Sequence, residues 1–507
     1  MAVAVEFSPF ILFSSFLFLL FLLRLLRSKS AANGFNFPPG PPRLPLIGNL
    51  HLMSRFRPPH RTLADLAAKY GAVMHLQLGE LSNVVVSSAD AARAVFKDHD
   101  VTLATRPSLI FTETMFYRNT DIAFAPYGDY WRRLRRICTL EMLSVRRVQS
   151  FRPLRQESFV DLCRKIAAAG AAVNFGDLIE EATFESFMTA TVGNSADQHK
   201  AFIDSVREST VLAAGFSLAD VFPSVKLFQR LSGLRSKLLK LHKSTDGMIE
   251  SIIADHRAAA AAGGGGKERE DLVDVLLKFN EEGHELHLST QNIKAVLLDM
   301  FSAGVETSAT TIGWAMSEMV KNPEVLRKAQ DEVRRVFEGK GFVDEANLDE
   351  LKYLKMVIKE TLRMHPPLPL LLPRESSEAF EIHGYKLPAK TRVMLNAWAI
   401  ARDPKYWKDP NTFMPGRFLE TSADFKGKDF EFIPFGAGRR MCPGLAFGLA
   451  NVELPLAMFL YHFDWALPDG MTPDDMDMSE CFGITARRRD ALSVMPVVKI
   501  PVPAKKI

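Results

Sequence analysis

Cysteine is scarce in this chain of 507 residues, which contains four: Cys138, Cys163, Cys442 and Cys481. No two of them have CxxC spacing, and four in so long a chain do not make a disulfide framework. The scarcity therefore indicates a reducing compartment. Because a lone cysteine in an intracellular protein is most often a buried packing residue, any chemical role has to come from its surroundings.

A marked excess of charge of either sign is also missing. The chain has 63 basic and 59 acidic residues, a net charge of +4, which gives no reason to propose a nucleic-acid partner. No internal repeat is visible either. Hydrophobic residues, in contrast, make up 47% of the sequence, which is ample to bury a large core.

One uncharged apolar run occurs near the N-terminus, at 7–23. It is at the short end of what crosses a bilayer. Arg24, Arg27 and Lys29 follow it and only Glu6 precedes it, so the positive-inside rule leaves the rest of the chain in the cytoplasm. A cleaved signal peptide is the alternative, but the positive charge follows the apolar run and no clear Ala-x-Ala site is present.

These patterns predict three parts: a membrane anchor at 1–29, a proline-rich hinge at 30–50 and a globular domain at 51–507. The hinge prolines, from Pro38 to Pro45, fix φ and remove backbone donors, so this segment is predicted to be stiff and extended.

Within the globular part, alternating apolar residues predict a β-hairpin at 73–86. Apolar residues at three- and four-residue spacing predict helices near 128–148, 155–168, 235–257, 290–320, 323–337 and 349–364. An alanine- and glycine-rich stretch at 258–266 is predicted to be a flexible surface loop. The fold class is therefore mainly α with minor β, in a single large domain.

The segment 434–444 combines several glycines, two arginines and a cysteine shortly before a predicted helix. Gly436 and Gly438 permit backbone turns that other residues resist, and a helix is predicted to begin just after Cys442. The positive end of a helix dipole favours a thiolate, and Arg439 and Arg440 add positive charge. A hydrogen-bonded thiolate is the ligand that pushes electron density onto an iron centre.

The spacing Phe435-x-x-Gly438-x-Arg440-x-Cys442-x-Gly444 resembles the haem-binding loop of the cytochrome P-450 family at every diagnostic position. The resemblance implies that haem b is the cofactor and that Cys442 is the ligand of its iron. It also implies that Phe435, Arg440 and Gly444 belong to the haem-binding site.

A second motif, from Ala303 to Ser308, lies in the middle of a predicted apolar helix. Ala303 and Gly304 remove bulk, and Thr307 shares a face with Gly304. A contact between helices made by small residues would explain these residues equally well. The motif resembles the oxygen-activation segment of the same family, which implies that Glu306 and Thr307 manage protons.

A third motif pairs Glu360 with Arg363 on one helix. In the family, the same spacing forms a buried ion pair that a second arginine completes, and Arg417 occupies the matching place here. Plant members usually carry an acidic residue where this chain has Gly416. We therefore expect the triad to form, with one hydrogen bond missing near that loop.

Two further segments resemble the family's contacts with the haem propionates. Trp131 and Arg135 have its Trp-x-x-x-Arg spacing, and Arg374 and Arg440 would be additional partners of a carboxylate. The resemblance extends from the anchor to the C-terminus and is closest to the plant microsomal group, in which the sequence at 125–131 recurs.

By resemblance, the chain is an NADPH- and O2-dependent monooxygenase, a hydroxylase of a small apolar plant metabolite of terpenoid or phenylpropanoid-like type. Its electrons would come from a separate NADPH-cytochrome P-450 reductase, since no glycine-rich dinucleotide fingerprint follows a strand. The protein would sit in the endoplasmic reticulum membrane, in contact with lipid, with its catalytic domain on the cytosolic face. The substrate-wall positions that the family implies are Phe111, Ile122, Ala303, Leu370 and Ile484.

Two other functions stay open. A haem-thiolate isomerase or dehydratase would need neither O2 nor reductase, but such proteins usually lack the central threonine or break the cysteine loop. A membrane haem protein that catalyses no reaction would give Glu306 and Thr307 no role in proton transfer. Product formation in the absence of NADPH would favour the first of these.

Overall fold

A computed structural model describes residues 34–53, 57–193, 217–262, 270–280, 287–481 and 483–504, together with positions 15, 202, 204, 205, 208, 209 and 212. Apart from position 15, the predicted anchor at 1–29 lies outside these residues. The described part is mainly helical with a small amount of sheet, so the predicted fold class is confirmed.

The helices used below are numbered in chain order. They are α1 (Pro59–Tyr70), α2 (Ala89–Arg93), α3 (Ile110–Met115), α4 (Asp129–Ile137), α5 (Val145–Ser150), α6 (Arg152–Ala168), α7 (Phe175–Val192), α8 (Leu218–Val221), α9 (Lys226–Leu231), α10 (Leu234–Ala261), α11 (Leu272–Lys278), α12 (Thr290–Lys321), α13 (Pro323–Val336), α14 (Lys352–Met364), α15 (Ala397–Ile400) and α16 (Leu445–His462).

The strands are β1 (Val73–Leu78), β2 (Leu81–Val86), β3 (Val173–Asn174), β4 (Arg374–Glu375), β5 (Phe380–Ile382), β6 (Tyr385–Leu387), β7 (Arg392–Leu395), β8 (Phe463–Ala466) and β9 (Ser493–Val498). The predicted hairpin is β1 and β2, which pair antiparallel. They belong to a four-stranded sheet in the order β1-β2-β7-β4, while β3, β9 and β8 form a second sheet and β5 and β6 a third.

The central helix α12 organises the fold. It begins at a capping box in which the Ser289 hydroxyl accepts a hydrogen bond from the N–H of Asn292, and it ends before Pro323. Its amino-terminal half packs into one hydrophobic core and its carboxy-terminal half into another. Between the two cores, residues 302–304, 306 and 307 are less buried than their neighbours, and this gap in the packing is the site described below.

Helix α16 begins directly after the cysteine loop and is almost wholly apolar. In the described part of the chain it is the one helix long and apolar enough to cross a membrane, yet 67% of its 18-residue apolar stretch is buried inside the protein. A helix that is hydrophobic on all sides is expected in the centre of a large core, and α16 packs there against α12, α13 and α6.

One prediction about local structure needs correction. The alanines that open the predicted loop at 258–266 continue α10 as far as Ala261, because alanine is the strongest helix former. From residue 36 onward, the segment predicted as a hinge makes backbone hydrogen bonds with the globular part. The carbonyl of Pro39 accepts a hydrogen bond from the N–H of His75 in β1, and the carbonyl of Ile47 accepts one from Gly79, so this part of the hinge lies along the sheet.

Candidate active site

One interior cavity lies between the middle of α12, the amino-terminal end of α16, helix α4 and the segment 367–374. All seven residues that the resemblance assigned to haem binding line this cavity. They are Trp131, Arg135, Arg374, Phe435, Arg440, Cys442 and Gly444. Residues from three distant parts of the chain therefore converge on one space.

The sulfur of Cys442 faces this cavity. Cys442 is exposed to the cavity but lies deep beneath the outer surface, and its N–H donates to the carbonyl of Phe435 at 3.0 Å. Burial raises the pKa of the Cys442 thiol, while the N–H of Gly444 and the charge of Arg135 act in the opposite direction. A bound metal cation would displace the thiol proton.

The turn before Cys442 requires glycine for two reasons. Gly436 and Gly438 both have a φ of 68°, in the left-handed region that favours glycine. A Cβ on Gly438 would also lie 2.4 Å from the carboxylate of Asp100. That carboxylate accepts a hydrogen bond from the N–H of Arg439 at 3.1 Å, so the close approach fixes the loop.

Four buried or largely buried guanidinium groups line the same cavity: Arg106, Arg135, Arg374 and Arg440. Burial lowers the pKa of Arg374 to about 10 and that of Arg440 to about 9. Burial also lowers the pKa of Arg106 well below its ordinary value, and the charges of Arg374 and Arg440 lower it further. An anion in the cavity would relieve this repulsion, and the two propionates of haem b carry the required charge. The residues present therefore fit haem b.

Arg106 was missed by the sequence analysis. Its Nη1 donates to the carbonyls of Leu372 and Pro373 at 2.6 and 2.9 Å, and its Nε donates to Ala123 at 3.2 Å. Its sequence neighbourhood has no motif and no helical periodicity that would have distinguished it from a surface arginine.

Trp131 contacts both the protein backbone and the arginine cluster. Its indole Nε1 donates to the backbone carbonyl of Ile122 at 2.9 Å, so this N–H is directed at the protein. The ring lies 4.1 Å from the guanidinium carbon of Arg440 and 5.9 Å from that of Arg135. In this geometry Trp131 stacks against the arginines.

The side chains of the motif on α12 point in two different directions. Ala303, Gly304 and Thr307 line the cavity, and the Thr307 Oγ1 donates to the carbonyl of Ala303 at 2.7 Å. The helix stays continuous through this turn. A Cβ on Gly304 would lie 2.3 Å from a ring carbon of Phe187 in α7, so Gly304 serves the contact between α7 and α12. For Gly304, the alternative interpretation as a small residue in a helix contact was therefore correct.

Glu306 is turned away from the residues that the structure brings to the cavity wall. Its Oε1 accepts a hydrogen bond from the hydroxyl of Thr485, which is buried. Thr485 was not predicted from the sequence, because nothing in its neighbourhood indicates a partner 179 residues away.

The predicted triad lies together. Arg363 donates to both carboxylate oxygens of Glu360 at 2.8 and 2.9 Å, and the Nε of Arg417 donates to Oε1 at 2.9 Å. The N–H of Met414 donates to the same oxygen at 2.8 Å. Gly416 leaves these contacts intact.

The five predicted substrate-wall residues do not share one cavity. Ile122 and Ala303 line the cavity that contains Cys442. Phe111, Leu370 and Ile484 line a neighbouring second cavity, next to α1 and the β1–β2 hairpin. The two spaces share a wall formed by Leu371 and Leu372.

Comparisons with known proteins agree with this geometry. The sequence model of the family described as Cytochrome P450 matches residues 38–492. The chain belongs to the cytochrome P450 family. It is a haem-thiolate monooxygenase with haem b as its cofactor, and when bound, haem supplies the redox chemistry that activates O2.

Several plant relatives span nearly the whole of this cytochrome P450. Salviol synthase of Salvia pomifera is 52% identical over 97% of this chain and 98% of its own length. Premnaspirodiene oxygenase of Hyoscyamus muticus is 48% identical, over 96% of each chain. The 5-epiaristolochene 1,3-dihydroxylase of Nicotiana tabacum is 49% identical, over 95% of this chain and 96% of its own.

Solved structures share the fold. A zebra fish cytochrome P450 with abiraterone has a TM-score of 0.74 and covers 87% of this chain and 99% of its own, at 23% identity. With the family established as monooxygenases, the two alternatives left open by the sequence, an isomerase without O2 and a haem protein without turnover, are not supported.

Proposed function

We propose that this cytochrome P450 hydroxylates a small apolar terpenoid, with Cys442 as the iron ligand and Thr307 as the residue that handles protons. The convergence of seven motif residues on one cavity is the observation that supports this assignment most strongly. Among the described residues that line the cavity, Cys442 provides the only thiol, and four guanidinium groups can bind the two carboxylates of haem b.

The ligand assignment has a spectroscopic test. The reduced carbon-monoxide spectrum of the folded protein is expected to have its Soret band at the thiolate position, and Cys442→Ser is expected to lose that band. Cys138→Ser is the matched control, because Cys138 is buried in the core between α4 and α5 and does not line the cavity. A thiolate-type band that survives in Cys442→Ser would overturn the assignment.

Thr307 is proposed to hold a proton at its Oγ1 on the cavity side of α12. Its hydroxyl currently donates to Ala303, and it can exchange this acceptor for a ligand in the cavity without breaking the helix. We expect Thr307→Ala to lower the amount of product formed per NADPH consumed. Ser317→Ala is the control, because Ser317 makes the same type of bond, to Gly313 at 2.7 Å, further along α12. Unchanged coupling in Thr307→Ala would refute this role.

Glu306 is proposed to deliver protons through a change of side-chain direction, since its carboxylate is bonded to Thr485. Thr485→Val removes this bond without altering Thr307. We expect Thr485→Val to change the dependence of product formation on pH, and Glu306→Gln to abolish that dependence.

The substrate class rests on the walls of the cavity and on the relatives. Ile122, Ala303, Leu371 and Leu372 present apolar side chains, which suit a hydrocarbon skeleton. Relatives of 48 and 49% identity are named for the oxidation of premnaspirodiene and of 5-epiaristolochene. Co-expression with a plant reductase and feeding of a terpenoid and phenolic panel tests the class, read by the mass of one added oxygen. Turnover of phenolics alone would refute it.

The electron donor is proposed to be an NADPH-cytochrome P-450 reductase that docks near the cysteine loop. Arg132 and Arg439 are about half exposed and lie over the same Tyr127 ring, 5.8 and 5.9 Å from its centroid. Arg133 and Arg136 are exposed on the same helix, α4. An acidic docking face on the reductase would complement this basic patch. We therefore expect Arg133→Glu to slow the reduction of the haem iron by the reductase, with little change in substrate binding.

The organisation into an anchor at 1–29, a hinge at 30–50 and a catalytic domain at 51–507 remains our proposal, with residence in the endoplasmic reticulum membrane and the domain on the cytosolic face. Exposed apolar side chains support a lipid-facing side. Ile47 of the hinge and Leu218 of α8 both lie on segments hydrogen-bonded to the β1–β2 turn. Removal of 1–29 is expected to weaken membrane association, measured by flotation with microsomes.

A further inference from the structure

Two buried carboxyl groups meet at the wall of the active-site cavity. Asp121 precedes the segment 122–125, and Asp299 lies on α12, about two turns before Thr307. Both are buried, and Asp299 lines the cavity. Their side chains lie close enough for each carboxyl group to act on the pKa of the other.

The pair holds three successive backbone N–H groups. The Oδ2 of Asp299 accepts from Ile122 at 2.8 Å and from Ala123 at 3.1 Å. The Oδ2 of Asp121 accepts from Phe124 at 2.9 Å. Residues 121–125, which we call the wall loop, therefore depend on these carboxyls for their amide partners.

The carbonyls of the wall loop bind the guanidinium cluster. Ile122 accepts from Arg440 at 3.3 Å, and Ala125 accepts from another nitrogen of Arg440. Ala123 accepts from Arg106 at 3.2 Å. Movement of the wall loop would therefore displace both the apolar wall at Ile122 and two of the four arginines in the cavity.

Two ionised carboxylates in contact at full burial would repel each other strongly. The other oxygen of Asp121, Oδ1, is buried and has no hydrogen-bond donor among the residues that the structure describes. A buried acceptor without a donor is costly, and a proton on Asp299 would supply one.

The surrounding charges indicate which carboxyl holds the proton. Burial raises the pKa of Asp121 to about 7, but the interaction with Asp299 and the charge of Arg440 act in the opposite direction and favour its anionic form, and the charge of Arg106 lies nearby. Burial and the neighbouring charge of Asp121 both raise the pKa of Asp299, which lies near the neutral groups of Tyr130 and Cys138. The N–H groups of Ile122 and Ala123 can bind the carbonyl oxygen of a neutral acid as well as that of an anion.

We propose that Asp121 and Asp299 share one proton, which Asp299 carries, and that this proton holds the wall loop in place beside the cavity. Both are positioning residues. The proposal deepens the proposed function, because the wall loop shapes the site assigned there, but its readouts below need no turnover.

The test is a set of single substitutions in the full-length holoprotein. In Asp299→Asn the amide oxygen can accept from Ile122 and Ala123, and the amide N–H can donate to Asp121. We expect it to retain haem and to unfold within roughly 2 °C of the wild type, whereas Asp299→Leu and Asp121→Asn are each expected to lower the unfolding temperature by roughly 4 °C or more. Tolerance of Asp121→Asn together with a loss in Asp299→Asn would overturn the proposal.

The unfolding temperature measured over a range of pH provides a second test, because a purely structural role of Asp299 would not make this temperature depend on pH. An acid whose folded pKa is raised above its unfolded value contributes stability that is present below the ordinary carboxyl pKa of about 4 and is lost as the pH rises through the folded pKa. The unfolding temperature of the wild type relative to Asp299→Asn is therefore expected to fall as the pH rises above the ordinary carboxyl pKa of about 4. Equal dependence on pH in both proteins would refute the shared proton, and this comparison decides the question even if Asp121→Asn fails to fold.

Discussion

Replacement of Glu360 by alanine is expected to cost this protein much of its stability. The carboxylate of Glu360 accepts four hydrogen bonds, two from Arg363, one from Arg417 and one from the N–H of Met414. The side chains of Glu360 and Arg363 are completely buried, and that of Arg417 is 8% exposed. The substitution would therefore leave two buried guanidiniums without their counter-ion.

The magnitude follows from burial. Breaking a buried ion pair by removing one partner costs about 3–5 kcal/mol, because the remaining charge is uncompensated. The total stability of a folded domain is only about 5–15 kcal/mol. The carbonyls of Ala401 and Pro410 still accept from Arg363, so the guanidinium keeps part of its solvation, and we expect the loss to lie near the lower end of the range.

The matched control is Asp161→Ala. Asp161 and Arg164 form an ion pair with the same three-residue spacing on α6, but their side chains are 44% and 28% exposed. Exposed pairs contribute about 0–1 kcal/mol, so this variant is expected to stay close to the wild type. The comparison removes the acidic residue of an ion pair with three-residue spacing in each case, once from a fully buried network and once from an exposed pair.

The assay is chemical unfolding followed by circular dichroism, together with the yield of haem-loaded protein. Because large proteins often unfold irreversibly, the rate of thermal inactivation is measured as a second quantity. Glu360→Gln keeps the side-chain size but removes the charge, and it is expected to lose most of the same stability. If Glu360→Ala and Asp161→Ala were equally stable, the argument from burial would be wrong.

Three further predictions concern single sites. Gly416→Ala is expected to stabilise the protein by about 0.4–1 kcal/mol in chemical unfolding, because a Cβ there meets nothing within 4 Å and the unfolded chain loses freedom; a destabilised variant would contradict this. Gly304→Ala is expected to destabilise by about 1–3 kcal/mol through overlap with Phe187, and Phe187→Leu in the same chain should restore part of the loss. Burial raises the pKa of Glu480, but hydrogen bonds from its basic partners outweigh this and lower it to about 2, so its stabilisation is present above the ordinary value near 4.5 and is lost as the pH falls towards 2. Arg61→Ala should therefore move acid unfolding, followed by circular dichroism, to higher pH.

Local chemistry explains why parts of the site could be predicted from the sequence. The loop before Cys442 needs left-handed glycines at defined positions and a helix directly after the sulfur, and both requirements are visible within eleven residues. Glu360 and Arg363 are neighbours on one helix, so their spacing is equally local. Such patterns carry structural information because the chain itself brings these residues together.

The remaining features depend on contacts that no local pattern encodes. Gly304 has the spacing of a residue that makes room for a ligand, but the ring of Phe187, on another helix, occupies the space beside it. Asp121 and Asp299 are ordinary acidic residues in the sequence, and only their burial side by side makes a shared proton necessary. The polar chemistry of this cavity therefore arises from tertiary packing, because the same carboxyl groups on a surface would be two independent anions with ordinary pKa values.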